Sequence, residues 1–106
     1  MHKNKTVIAE FSIIPIGQEG TSVSSYVVAA VSSFQDVEGL RFELTAMGTI
    51  LEAENLETIF EAVRRAHNAL YKSGVQRISS TLIIDDRKDK ARSMNDKVKA
   101  VKDKLT

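Results

Sequence analysis

The chain has 106 residues, 42% of them apolar and 27% charged, with a formal net charge of +1 and no cysteine. That length predicts one domain, residues 1–106, with a modest core, since a chain this size buries roughly two thirds of the surface its unfolded state exposes. Without cysteine there is neither a disulfide framework nor a thiolate metal site, and a single proline with five glycines leaves no linker composition.

The near-neutral total hides an asymmetry. Residues 1–85 carry seven Lys/Arg against ten Asp/Glu, whereas 86–106 carry eight against four. The signs are interleaved in this basic tail, the pattern of a solvated helix face. The early apolar stretch VIAEFSIIPI is interrupted by Glu10 and holds Pro15, so it fits neither a signal-peptide core nor a membrane span, and a cytoplasmic protein is the expectation.

From Thr6 to Ile14 the chain reads as a strand buried largely on both faces, with Val7, Ala9, Phe11 and Ile13 on one side and Ile8, Glu10, Ser12 and Ile14 on the other. Pro15, Gly17 and Gly20 mark a loop, and Thr21 or Ser22 offers a cap for a helix whose apolar stripe is Val23, Tyr26, Val27, Ala30, Val31 and Phe34. Leu40, Phe42 and Leu44 alternate with Arg41, Glu43 and Thr45 as a half-buried second strand. Ala46 to Gly48 is the tight turn of a hairpin, and Thr49 to Ala53 is its return strand.

Asn55 is placed to cap a second helix with Leu56, Ile59, Phe60, Val63 and Leu70 on its apolar face, and Gly74 to end it. Val75 to Asp85 alternates as a fourth strand. Ala91, Met94, Val98, Val101 and Leu105 recur at helical spacing in a final amphipathic segment over 90–105. The order predicts an α+β, ferredoxin-like β-α-β-β-α-β sandwich: a core over 6–85 with both main helices on one face of a four-stranded antiparallel sheet, plus the extra C-terminal helix.

Strand parity assigns Glu10, Ser12, Glu43, Thr45 and Thr81 to the open face of that sheet, together with Ile8, Ile14, Met47 and Ile83. So mixed a face points to cover by a second subunit, by the third helix or by a ligand. Glu10 in particular needs a partner, either Arg41 or Arg77 on the same face or a cationic or amine-bearing ligand.

Several uses of this architecture lack their residues. The central strands offer only Phe11, on the helix side, for stacking bases, so nucleic acid is not the expected partner. His2 and His67 make a poor metal site, and Asp85, Asp86 and Asp89 alternate with Arg87, Lys88 and Lys90, so no metal or other cofactor is expected. The loop PIGQEGTSVSS has no arginine for phosphate chemistry, and Ser24 and Ser25 have no evident base. No catalytic residue emerges, and the chain reads as a binding protein, not an enzyme.

Taken together, EFSIIPIG, SVSSYVVAAV, FELTAMGTILEAE and RISSTLIIDDRKDK resemble the small thiamine-binding protein family, in order and spacing, from about Ala9 to the final helix. The PIG turn falls on Pro15 to Gly17, the serine-bearing helix start on Ser22, and the MGT-x-x-E segment on Met47, Gly48, Thr49 and Glu52. The resemblance implies a ferredoxin-like subunit that self-associates as a homodimer or homotetramer. It also implies non-catalytic binding of thiamine or its hydroxymethylpyrimidine portion by a carrier or sensor, at a sheet-face or subunit-interface pocket.

On that reading Glu10 accepts from the pyrimidine amine or ring nitrogen, Ser12, Thr45 and Thr49 supply neutral hydrogen bonds, and Met47 offers a polarizable surface to the rings. Glu52 belongs to the matching segment but has the opposite parity from Thr49, which suits a structural role equally well. The alternatives are a regulatory module for another small metabolite and a purely structural oligomerisation domain.

Overall fold

A computed structural model describes residues 6–18, 24–88 and 93–105. Its elements are β1 (Thr6–Pro15), α1 (Ser24–Phe34), β2 (Arg41–Leu44), β3 (Thr49–Ala53), α2 (Leu56–Lys72), β4 (Ile78–Arg87) and α3 (Met94–Leu105). The strands form one antiparallel sheet in the order β2-β3-β1-β4, the ferredoxin-like α+β arrangement with a C-terminal helix added. The expected caps at Thr21 or Ser22 fall outside the described residues.

Alternation along the strands sorts the two faces. Val7, Ala9 and Phe11 of β1 and Leu51 and Ala53 of β3 are buried beneath Ala30 and Phe34 of α1 and Ile59, Ala62, Ala66 and Leu70 of α2. The Phe34 and Phe42 rings meet edge to face, centroids 5.6 Å apart, joining α1 to β2. On α2 the buried stripe runs through Ala62 and Ala66, whose small side chains allow close approach, while Phe60 stays half exposed.

The first strand departs from its expected two-sided burial. Val7, Ala9 and Phe11 are buried and Ile13 is partly so, but Glu10 and Ile14 are exposed, because neither main helix reaches the second face of the sheet. On that open face a row of cross-strand neighbours runs Glu43, Ile50, Glu10, Ile83, and the next row runs Arg41, Glu52, Ile8, Asp85.

Local chemistry fixes the element ends. The Asn55 side chain accepts from the Thr58 N–H at 2.8 Å, capping α2 as its position predicts. Gly74 follows with φ of +96°, a conformation that side-chain-bearing residues rarely adopt, and its N–H returns to the Tyr71 carbonyl. Gly48 is needed for space instead: a Cβ there would lie 3.0 Å from the Phe11 carbonyl oxygen.

Candidate ligand-binding site

Pairing between β1 and β3 ends at Phe11 and Thr49, whereas pairing between β1 and β4 continues to Pro15 and Ile78. Among the described residues, one edge of β1 from Ser12 onward therefore has no strand beside it, which leaves the backbone groups of that edge outside the sheet ladder. A cleft of about 510 Å³ opens at this place. Val27, Ala30, Val31 and Phe34 of α1 form one wall, Phe11 to Ile14 form the second, and the turn from Leu44 to Thr49 forms the lip. The volume falls in the range of about 300–1,000 Å³ typical of small-molecule sites.

Four of the six residues singled out in the sequence line this cleft: Ser12, Thr45, Met47 and Thr49. Thr49 is 8% exposed and sits on the helix side of β3, and among the described residues its hydroxyl has no hydrogen-bond partner. Met47, by contrast, is 83% exposed at the lip, where its flexible thioether overhangs the opening. Ser12 is half-buried at the unpaired edge of β1.

Thr45 already has local work. Its hydroxyl donates to the Gly48 carbonyl at 2.8 Å and accepts from the N–H groups of Met47 at 3.2 Å and Gly48 at 3.1 Å. The Thr45 N–H also donates to the Gly48 carbonyl, so this one residue holds the four-residue connection between β2 and β3 and sets the shape of the lip.

Within one chain, Glu10 and Glu52 lie outside the cleft, on the open face. Glu10 is exposed between Ile50 and Ile83, and Arg41 pairs with Glu52 instead of reaching it, at 3.4 Å. Glu52 is 6% exposed, and its second carboxylate oxygen accepts from the Met94 N–H at 2.7 Å. That N–H opens α3, where Ser93 and Asp96 exchange hydrogen bonds at 3.1 and 3.2 Å as a capping box. A carboxylate at a helix N-terminus is favoured by the free N–H groups and the helix dipole, so Glu52 is an anchor for α3.

The same region carries the perturbed acid. Asp85 is bonded to the Lys97 ammonium of α3, and that hydrogen bond and charge, with Arg87 nearby, hold its carboxyl below the usual aspartate value. On α2, hydrogen bonds from Arg65 and Arg64 likewise lower Glu61, and Arg65 extends to Asp36 at 3.0 Å. Asp85 and Lys97 thus form an ion pair where the sequence raised and set aside a metal cluster; Asp89 lies outside the described residues. His67 bonds through Nε2 to the Ser80 hydroxyl at 2.8 Å and ties α2 to β4.

Sequence reasoning did not identify the α1 wall. The periodicity of Val27, Ala30, Val31 and Phe34 marks them as a buried stripe, and only the late start of β3 reveals that this stripe overhangs a gap. The exposure of Val27, at 38%, is the structural sign that the stripe is incompletely covered. Ser22 falls outside the described residues.

No helix among the described residues is long and apolar enough to cross a membrane. The family model described as thiamine-binding protein matches residues 9–102. A UPF0045 protein of Methanothermobacter thermautotrophicus is 46% identical over 93% of this chain and 99% of its own length. Among solved structures, a hypothetical protein of Methanocaldococcus jannaschii superposes with a TM-score of 0.81 at 43% identity, covering 92% of this chain and 96% of that one. A candidate thiamine biosynthesis/salvage protein of Thermotoga maritima shares the fold, with a TM-score of 0.73 at 19% identity over 91% of this chain and 98% of that one. With its model matched across nearly the whole length and a relative of such identity and coverage, the chain belongs to the thiamine-binding protein family.

Proposed function

We propose that this protein binds thiamine, or its hydroxymethylpyrimidine portion, in the cleft between α1 and the β2–β3 turn, and does so without turning it over, as a cytoplasmic carrier or sensor. The observation that carries this reading is the convergence of Ser12, Thr45, Met47 and Thr49, chosen from sequence, on one cleft of ligand size. Its walls are apolar and suit a flat ring, while the unpartnered Thr49 hydroxyl and the free edge of β1 suit the amine and ring nitrogens of an aminopyrimidine. Membership of the family supports the ligand class.

Self-association as a dimer or tetramer is part of the same proposal. Ile14 is 54% and Ile83 60% exposed on a sheet face that, among the described residues, only the base of α3 touches. Glu10 sits on that face, so its contribution to binding would come through a second copy.

Calorimetric titration with thiamine, its phosphates and the free pyrimidine alcohol tests the reading. Binding of at least one of them is expected, and Thr49→Val should weaken it about ten-fold, a loss in the range of a single hydrogen bond, about 0.5–1.5 kcal/mol. Absence of heat with every one of these compounds would refute the ligand class. Unchanged affinity in Thr49→Val would place the site elsewhere.

A further inference from the structure

The C-terminal helix is held at one end and uncovered along its length. Glu52 and Asp85 fix its first turns to the open sheet face through Met94 and Lys97. Beyond them Val98 is 52%, Val101 59% and Leu105 79% exposed, and no residue of α3 is buried. A helix of this length gains little stability by itself, so its apolar stripe is stabilising only against another surface. Its own sheet does not supply that surface, because Ile83 remains exposed on the face where the helix is anchored.

The uncovered sheet face and the uncovered helix are complementary. Across the strands the face reads Glu43, Ile50, Glu10, Ile83, alternating carboxylate and isoleucine, and among the described residues neither carboxylate has an ion-pair partner. The helix carries Val98, Val101 and Leu105 with Lys102 and Lys104 beside them, while Lys99 is paired with Asp103 of the same helix at 2.9 Å. Apolar groups meet apolar groups, and ammonium groups meet carboxylates, when one is laid on the other.

We infer that α3 of one copy lies across the open sheet face of a second copy, with the second copy's α3 returning the contact. This rests on the self-association proposed above and is independent of the ligand. Such an exchange is isologous and closes as a dimer, covering both exposed faces at once. It also explains why the base of α3 is fixed by a capping box and a buried carboxylate although its apolar stripe finds no cover on its own chain.

The absence of cysteine makes a directed cross-link clean. Ile83→Cys and Val101→Cys proteins, both changed at exposed positions, are mixed, exchanged and oxidised. A covalent dimer of one Ile83→Cys chain and one Val101→Cys chain is expected on a non-reducing gel. Absence of that mixed species, or cross-linking only between two Val101→Cys chains, would overturn the exchange. As a second measurement, Glu43→Lys is expected to weaken the dimer about ten-fold or more in sedimentation equilibrium. An unchanged dimer would count against the charge contact. The unmodified chain in the same run separates the two ideas: a monomer removes self-association itself, whereas a dimer without the mixed cross-link removes only this route to it.

Discussion

Two carboxylates of one face show how position decides a residue's work. Glu52 was placed correctly by parity on the side opposite Thr49, yet its function depends on a bond to Met94, 42 residues away, which no local pattern reveals. Glu10 has the same chemistry on the neighbouring strand but remains in solvent, without an anchor to hold. Asp85 offers a direct test at this scale. Lys97 lowers its folded value, so the ion pair contributes stability above the ordinary aspartate value of about 3.9 and loses it as pH falls through the lowered value. A carboxyl-detected NMR titration should therefore give Asp85 a midpoint below that of a free aspartate, and Lys97→Met should raise it again. A midpoint at or above the ordinary value would contradict the tether of α3 to β4.

The elements were largely legible because hydrophobic period reports them directly. The return strand of the hairpin, the Asn55 cap and the stop at Gly74 lie where their residues place them, since each depends on neighbours within a few positions. β2 is shorter than its alternation suggests because Thr45 leaves the ladder to bond Gly48, and β4 is shifted from the expected Val75–Asp85 to Ile78–Arg87 because its partner β1 spans Thr6 to Pro15. The cleft was not legible for a related reason. It exists because β3 begins late at Thr49 while β1 extends past it, a relation between elements and not a property of either.

The β2–β3 turn is the element where sequence and site meet. Gly48 presses against the β1 backbone, so Gly48→Ala must displace either the turn or Phe11. Crowding of this kind costs about 1–3 kcal/mol. We expect Gly48→Ala to lower the midpoint of urea unfolding and to weaken ligand binding together, as the lip moves. Wild-type stability in this variant would show that the turn relaxes without effect on the cleft.

At the scale of the molecule the two faces of the sheet have separate tasks. One face, under α1 and α2, forms the core and, where β3 starts late, the cleft; the other carries Glu10, Glu43, Ile14 and Ile83 and holds the base of α3. Strand parity alone gathers Glu10, Ser12, Thr45 and Met47 on the open face. Within one chain the apolar cleft lies at the end of the sheet beside α1, and the mixed patch lies on the far side.

Backbone NMR during titration with thiamine or the pyrimidine alcohol measures directly whether the proposed ligand enters the cleft. Resonances of Ser12 to Ile14, Val27 to Phe34 and Leu44 to Thr49 should shift together and saturably, ahead of those of Glu10 and Ile83. Saturable shifts centred on Glu10 and Ile83, with the cleft residues unmoved, would contradict that placement.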